Sequence, residues 1–300
     1  VIMSIVTVGL VAYTAFNYLQ RTIFENVTKE LILALYSCIC VYSTFLIIIQ
    51  LTQLIYRYTA SDKCDAQIPK AWCLFRYFLT MLVISFITLH IGITAQHALS
   101  TFLFRARAQK IAARISIVAS VVYPTALGIF AYSNDSLAGR TPYCSGITAG
   151  SVAILMADLY VLLALDIFNT LASLLLWKYN RDRLTTEQSF DLTLSFHRRQ
   201  NLYAMQQFLP IAFVHAIVYS IFFVSVIFTE ALQSMLSRGW YMVFSVIANV
   251  IPWYCLLCPL MFLFLIRRGH FLRASHVKRM INPEKDLNMM YFDALRDQWQ

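Results

Sequence analysis

Long runs of apolar residues separated by short polar segments dominate the chain. A helix needs about 20 mostly apolar residues to cross the hydrocarbon core of a bilayer. Seven runs are close to this length or exceed it, and they leave almost no polar face to meet water. The pattern therefore predicts an all-α membrane protein, a bundle of seven transmembrane helices, rather than a soluble helical protein. The predicted spans are residues 1–19, 31–56, 72–100, 111–132, 147–177, 208–228 and 241–266.

The connections between the runs are too short to hold a separate soluble domain. The longest, residues 178–207, keeps an apolar spacing that predicts helical extensions of spans 5 and 6. After the seventh run, residues 267–280 have the pattern of a basic amphipathic helix on the membrane surface, with Phe271 and Leu272 toward lipid. The sequence therefore predicts a bundle at residues 1–266 and a cytoplasmic tail at residues 267–300.

Composition indicates that lipid is the solvent for much of the surface. Apolar residues make up 59% of the chain and charged residues 13%, against roughly 45–50% and about 25% in soluble domains. The net charge of +9 does not indicate a nucleic-acid partner, because the basic residues lie in short connections between apolar runs. We therefore expect the lipid bilayer, and no nucleic acid, among the partners.

The distribution of Lys and Arg predicts the orientation of the bundle. Cytoplasmic connections of membrane proteins are enriched in these two residues. The first, third and fifth connections and the tail together hold 18 of the 24 basic residues, and the alternate connections hold five. We therefore expect the C-terminal tail in the cytoplasm. Because the number of spans is odd, the N-terminal end is then expected outside.

Short sequence signals give further expectations. The Asn-x-Ser/Thr sequon at Asn134 lies in the fourth connection, predicted to be outside, and the one at Asn26 lies in the first, predicted to be inside. Only Asn134 is therefore expected to carry sugar. The chain enters an apolar run directly at Val1, with no charged segment or cleavage site, so we predict no signal peptide and expect that an initiator Met precedes it.

Ionisable residues near the outer ends of two spans are candidates for ligand binding, because such groups are costly inside a membrane. Arg76 lies close to the outer end of span 3, beside Tyr77, and Asp158 lies farther into span 5. Arg76 either extends to the lipid headgroups or faces the mouth of a pocket, where Asp158 would join it or pair with it. We predict a ligand site at Arg76, Tyr77 and Asp158.

Three other ionisable residues are predicted to lie at one depth in the inner half of the bundle, given the rise of a helix along spans 3, 5 and 6. They are His90, Asp166 and His215. A carboxylate paired with imidazole at that depth would form a polar latch sensitive to protonation. The alternative is three independent groups, each hydrogen-bonded to a helix backbone or a neighbouring hydroxyl.

Motifs of known enzyme classes are missing from the sequence. It contains no G-x-S-x-G, H-E-x-x-H, P-loop or Gly-rich dinucleotide turn. The intramembrane ionisable residues form neither a regular acidic relay nor an Arg ladder, which disfavours a pump, an intramembrane protease or a voltage sensor. We therefore expect no enzymatic activity, no cofactor and no metal site.

Several short motifs, in a fixed order, carry a resemblance to a known family. They are Cys64-Asp65, WCLFR at 72–76, QHALST at 96–101, YCS at 143–145, LTLSFHRRQN at 192–201 and Leu209-Pro210. Together they resemble the nematode serpentine chemoreceptors of the Sra superfamily, with the closest likeness to Srab and Sra. The resemblance covers nearly the whole chain.

The resemblance implies a seven-transmembrane receptor in the plasma membrane of sensory neurons, in their cilia, that binds a small chemical and signals through a heterotrimeric G protein. One departure concerns the inner end of span 3. The family tends to carry Glu-Arg where this chain has Gln96 and His97, so the usual charged group is lost and His97 supplies a charge only when protonated. At the end of span 7, Cys258 and Phe262 replace the Asn and Tyr of the Asn-Pro-x-x-Tyr pattern of rhodopsin-like receptors.

Three cysteines lie on the side predicted to be outside. Cys64 and Cys73 flank the start of span 3, and Cys144 lies in the next outer connection. Many seven-helix receptors have a disulfide at this place, and it implies a bridge between Cys73 and Cys144. A bridge from Cys64 to Cys144, and three free thiols, remain as alternatives. The other cysteines lie within spans and are interpreted as small core residues; they are Cys38, Cys40, Cys255 and Cys258.

The leading hypothesis is therefore a ligand-gated conformational switch. The ligand would bind among the outer halves of spans 3, 5, 6 and 7, and Pro210 and Pro259 would act as hinges. The predicted G-protein-facing residues are Gln96, His97, Arg105, Arg107, Arg198 and Arg199. The alternatives are a small-solute transporter, which would have inverted repeats, and a ligand-gated channel with its N-terminus inside.

Overall fold

The computed structural model describes residues 1–19, 25–60, 67–103, 106–133, 138–141, 148, 150–186, 192–232 and 235–281. Side chains are described throughout these ranges except at residues 106, 185, 192–195, 238 and 269–281. Helices make up most of the chain that is described. Their bounds are α1 Ile2–Asn17, α2 Asn26–Thr59, α3 Leu74–Phe102, α4 Ala106–Tyr132, α5 Val152–Thr186, α6 Leu192–Ala231, α7 Arg238–Ile247 and α8 Ile251–Ile281.

These helices form the predicted bundle of seven spans. Within the described residues, six stretches of helix are long and apolar enough to cross a membrane, and α1 is a shorter apolar helix of 16 residues. The helices α7 and α8 together make the seventh span. The predicted extensions are present, since α5 continues to Thr186 and α6 begins at Leu192.

The seventh span is interrupted between its two helices. The sequence predicts one run at 241–266, but α7 ends at Ile247 and α8 begins at Ile251. The cause is Pro252, which has no N–H to donate to the carbonyl of Ala248 four residues earlier. That carbonyl instead accepts a hydrogen bond from the amide of Val250 at 2.9 Å.

The prolines predicted as hinges lie inside continuous helices. Pro210 is within α6 and Pro259 within α8, and the backbone stays helical through both. Whether the chain bends at either residue stays a prediction. The helix α8 runs on to Ile281, so residues 267–281 continue the seventh span as helix. The amphipathic character of that segment also stays a prediction, because its side chains beyond Arg268 are not described.

One end of the bundle carries a short antiparallel pairing of strands. The strand β1, Ile68–Pro69, precedes α3 and pairs with β2, Arg140–Thr141, which precedes α5. The amide of Lys70 also donates to the carbonyl of Gly139 at 3.0 Å. Gly139 has a φ of 93°, a conformation that residues with a side chain rarely adopt. We call this end of the bundle the hairpin end, although α3 and α4 separate the two paired strands along the chain.

The helix α3 lies at the centre of the bundle and packs against α2, α4, α5 and α6. The approach to α4 is close at Gly92, where an added Cβ would lie 2.5 Å from the Cβ of Ser116. Small residues at such crossings let transmembrane helices pack tightly. The outward face of α4 is apolar and exposed, as lipid contact requires, and includes Ile111, Ile115, Val118, Val122, Ile129 and Phe130.

Candidate functional site

A cavity of about 100 Å³ opens near the hairpin end of the bundle. Its walls come from α2, α3, α5, α6 and α7, and from the interruption in the seventh span through Ala248 and Asn249. Most of the lining is apolar. The charged residues among its described lining are Arg76, Asp158 and Glu230.

The structure brings Arg76 and Asp158, both predicted from the sequence, into the wall of this one cavity. They do not form the ion pair that the sequence left open. The Oδ1 atom of Asp158 instead accepts a hydrogen bond from the hydroxyl of Tyr123 on α4. Its Oδ2 atom is buried and has no hydrogen-bond partner among the residues that the structure describes.

Tyr77 is placed differently from the prediction. Its ring stacks on Tyr132 of α4, with centroids 4.0 Å apart and planes at 6°, and it packs beside Cys73. It is not among the described residues that line the cavity. The reason is helical phase, since neighbouring positions on a helix point about 100° apart and Arg76 takes the inward direction.

Glu230 and Tyr241 also line the cavity, and neither was identified from the sequence. The Oε1 atom of Glu230, at the end of α6, accepts a hydrogen bond from the hydroxyl of Tyr241 on α7 at 2.7 Å. Glu230 lies just beyond the predicted end of span 6, so it was counted with the connection. A helix extended by one turn would have placed this carboxylate within the bundle.

A cluster of buried side chains lies deeper in the bundle, and it contains the three residues predicted to share one depth. The Nδ1 atom of His215 donates to Oδ1 of Asp166 at 2.9 Å. The ring of His90 stacks on that of His215 with centroids 4.0 Å apart. All three residues are 1% exposed. The arrangement is therefore a direct contact between α3, α5 and α6, and we call it the central layer.

Two tyrosines extend the central layer, and no pattern in the sequence indicated either of them. The Nε2 atom of His90 lies 2.7 Å from the hydroxyl of Tyr254 on α8. The ring of Tyr219 stacks on His215 at 4.0 Å between centroids, and its hydroxyl donates to the carbonyl of Val83 at 3.2 Å. Because Val83 also lines the cavity, the central layer is joined directly to the cavity wall.

A second set of polar contacts ties α3, α5 and α6 together farther from the hairpin end. The Nδ1 atom of His97 donates to Oδ1 of Asn201 at 3.0 Å. The Nδ2 atoms of Asn201 and Asn180 both donate to Oγ1 of Thr101, at 3.0 and 2.8 Å. All four residues are buried. We call this set the inner layer.

Comparison with models of known protein families finds a match over nearly the whole chain. The family model described as serpentine type 7TM GPCR chemoreceptor Sra matches residues 1–299. The chain belongs to the Sra family of chemoreceptors. The predicted resemblance is thereby confirmed. A search among curated proteins found no match.

Membership in the Sra family makes the chain a multi-pass membrane protein and a chemosensory receptor, and the family is a class of receptors rather than enzymes. Within this Sra receptor, the residues predicted to face a G protein are only partly exposed. Gln96, His97 and Arg198 are buried, whereas Arg107 and Arg199 are exposed. Arg105 lies outside the described residues.

Burial of Gln96 and His97 has a physical reason. The Oε1 atom of Gln96 is 3.4 Å from the hydroxyl of Thr28 on α2, and His97 belongs to the inner layer. A neutral amide and a neutral imidazole can be buried when they are hydrogen-bonded, as both are here. A Glu-Arg pair at the same positions would carry the far larger cost of buried charge. That Gln96 and His97 face a G protein stays a prediction, which would require the inner ends of the helices to move apart.

The remaining predicted sites of the Sra receptor lie mostly outside the described residues. These are Asn134, Cys64 and Cys144. Cys73 is buried and disulfide-bonded, and its partner is not among the described residues, so the choice between Cys64 and Cys144 stays open. The four cysteines within the spans are free thiols. No group of three potential metal ligands occurs in the described part of the chain.

Proposed function

We propose that this Sra receptor binds a small chemical in the cavity at the hairpin end and signals to a heterotrimeric G protein at the opposite end. The hairpin end faces the outside of the plasma membrane of a sensory neuron, in the cilium. The Lys and Arg distribution supports this orientation, since the connections and tail at the opposite end are the basic ones.

The observation that carries the proposal is a continuous chain of contacts from the cavity to the central layer. Val83 lines the cavity and accepts a hydrogen bond from Tyr219, which stacks on His215. Tyr42 also lines the cavity and packs on Phe86, which packs on Tyr254. A ligand that displaces the cavity wall therefore acts on residues that contact the central layer.

A ligand shifts a receptor only by binding one packing more tightly than the other. The cavity is lined by five helices, so a change in their spacing alters the contacts available to the ligand. The inner layer holds α3, α5 and α6 together in the packing described here. Separation of these helices at the opposite end breaks those hydrogen bonds and opens the surface for the G protein.

The test is a screen of small chemicals on cells that express the chain, with second-messenger production as the readout. We expect active compounds to lose potency in Asp158→Asn and to change potency in Arg76→Gln, since both residues line the cavity. The matched control is Asp182→Asn, which removes an exposed carboxylate from the opposite end of α5. Full potency in both cavity variants at normal surface expression would contradict the proposed binding site.

The central layer gives a second test, which needs no ligand. Asp166→Asn replaces the carboxylate that accepts from His215 with an amide of the same shape. We expect basal second-messenger signalling to change, because the hydrogen bond between α5 and α6 weakens. Unchanged basal signalling in a well-expressed variant would remove the central layer from the mechanism.

Orientation is tested separately by epitope labelling. An epitope placed after residue 281 should be inaccessible on intact cells and accessible after permeabilisation. Labelling of intact cells would exclude coupling to a cytoplasmic G protein through this end of the bundle.

A small-solute transporter is the alternative function with a specific observation in its favour. Broken spans line the substrate sites of many transporters, and the interruption at 248–250 lines the cavity. Such transporters have matching interruptions in two related halves. Among the spans as far as they are described, only the seventh is interrupted, which favours the receptor.

A further inference from the structure

We propose that the cavity takes a small organic cation, a protonated amine on a short apolar body, with Asp158 as its counter-ion. This inference rests on the proposed function, in that the cavity is the ligand site. It adds the chemical class of the ligand, which neither the sequence nor the family determines.

The first observation is an unused acceptor in the cavity wall. Asp158 is 7% exposed and lines the cavity. Tyr123 occupies its Oδ1 atom, and Oδ2 has no partner in the described part of the chain. Buried polar atoms are nearly always hydrogen-bonded, so an unpartnered carboxylate oxygen beside a cavity indicates a missing donor. A carboxylate accepts hydrogen bonds, so that donor carries an N–H or O–H group.

The second observation is the balance of charge around the cavity. Asp158 and Glu230 contribute two carboxylates, and Arg76 contributes one guanidinium. The side chains of Arg76 and Glu230 are both partly exposed, so both can reach the headgroup region, which the short and buried Asp158 cannot. A cavity with an excess of negative charge in a medium of low dielectric constant favours a cation over a neutral donor.

The third observation is size. The cavity of about 100 Å³ is smaller than the engineered cavity of about 150 Å³ that binds benzene in another protein. Its remaining wall is largely aliphatic and aromatic, with Leu79, Leu155, Leu159 and Phe222 among the residues. These limits fit a primary ammonium with an alkyl chain of a few carbons. The ammonium donates to Oδ2 of Asp158 while Tyr123 keeps its bond to Oδ1.

The experiment compares three probes with the same carbon skeleton on the purified full-length protein in lipid nanodiscs. The probes are pentylamine, pentanol and pentanoate, and the readout is the thermal unfolding midpoint at increasing millimolar concentrations. We expect pentylamine to raise the midpoint of the unsubstituted protein more than pentanol does, and pentanoate to have no effect. A ligand that binds the folded state alone produces such a shift.

Three variants separate the charges. Asp158→Asn should weaken pentylamine binding about tenfold or more, because it removes the counter-ion of a buried cation. Asp182→Asn, the matched change at an exposed carboxylate, should leave the shift intact. Arg76→Gln should strengthen pentylamine binding, since it removes a like charge, and it keeps the test valid if Asp158→Asn does not fold.

The proposal is overturned if pentanol or pentanoate raises the unfolding midpoint as much as pentylamine does, or if no probe raises it. It is also overturned if the pentylamine shift is unchanged in Asp158→Asn, or if pentylamine binds more weakly to Arg76→Gln. The proposed function is judged from the signalling assay instead. A pentylamine shift that depends on Asp158, without any second-messenger response, would support the cation site and contradict coupling to a G protein. A second-messenger response to uncharged compounds, with no pentylamine shift, would support coupling to a G protein and contradict the cation site.

Discussion

The central and inner layers use the same helix in different ways. His90 and His97 are seven residues apart on α3, roughly 10 Å along the axis. His90 joins a layer that contains a carboxylate. Among the described residues, three atoms of this layer have no hydrogen-bond partner: Nδ1 of His90, Nε2 of His215 and Oδ2 of Asp166. His97 joins a layer whose other members are two amides and a hydroxyl, and its own Nε2 atom also lacks a partner among the described residues.

The difference separates two tasks within one bundle. A buried carboxylate with incomplete hydrogen bonding is costly and responds to small changes in its surroundings. A neutral layer with shared hydrogen bonds costs less to bury and mainly holds helices in place. We therefore infer that the central layer responds to the cavity and the inner layer keeps the opposite end closed.

The largest effect is expected from removing the carboxylate of the central layer. Asp166→Leu leaves the Nδ1 donor of His215 buried without an acceptor. We expect a loss of about 3 kcal/mol of unfolding free energy, measured by thermal or denaturant unfolding of the purified protein. Asp182→Asn on the same helix should change stability by less than about 0.5 kcal/mol. Equal effects of the two variants would show that the central layer does not contribute to stability.

The next effect concerns the acceptor of the inner layer. Thr101→Val keeps the shape of the side chain and removes the oxygen that both Asn180 and Asn201 donate to. We expect a loss of about 2 kcal/mol, because the buried amides of Asn180 and Asn201 lose a shared acceptor, although Asn180 keeps the carbonyl of Leu176 within its own helix, together with a rise in basal second-messenger signalling. The control is Thr44→Val, since the exposed Thr44 bonds only within its own helix. A stability loss without higher basal signalling would contradict the assignment of the inner layer to closure.

A smaller effect is expected between the two layers, at Gly92. An added methyl group would meet Ser116 on α4 at 2.5 Å, so Gly92→Ala should move α3 away from α4. We expect a loss of about 1–2 kcal/mol from overpacking, read from the unfolding midpoint. Gly9→Ala, which has open space around the new Cβ, should be neutral or stabilising. An unchanged unfolding midpoint in Gly92→Ala would mean that the two layers tolerate a shift of α3.

The smallest effect is expected from Tyr219→Phe, which removes the hydrogen bond to the carbonyl of Val83 and keeps the stacking on His215. The expected loss of stability is about 1 kcal/mol. The informative measurement is the ratio of ligand-stimulated to basal signalling, which should fall because the cavity wall is uncoupled from the central layer. An unchanged ratio would place the coupling on the contacts of Tyr42 and Phe86 instead.

Much of the fold follows from the apolar runs, because a helix in lipid must satisfy its own backbone. The depth of the central layer could also be predicted from the sequence, because position along a span fixes depth and three ionisable residues share one depth. The direction in which each side chain points could not be predicted from the sequence. The burial of Gln96, His97 and Arg198 in this packing was not predictable, because the rotation of a helix about its axis depends on its neighbours.

Two further features lay beyond the sequence for other reasons. The bond between Tyr123 and Asp158 joins residues on different spans, and no spacing along the chain indicates such a pair. The interruption of the seventh span falls within a run that is apolar except for Ser245 and Asn249, and two polar residues alone do not predict a break. Pro252 is its chemical cause, but Pro210 and Pro259 lie in similar runs without interrupting them. The surrounding contacts decide which proline ends a helix.

That interruption has a mechanical consequence. In a continuous helix, a tilt imposed at one end displaces the other end by a proportional amount. Here α7, which presents Tyr241 and Ser245 to the cavity, is joined to α8 by three residues outside any helix. The short segment can therefore reorient around ligands of different shape while α8 keeps its register against α6. Such independence lets a chemoreceptor acquire new specificities by substitutions in α7 without rebuilding the part that reports the signal.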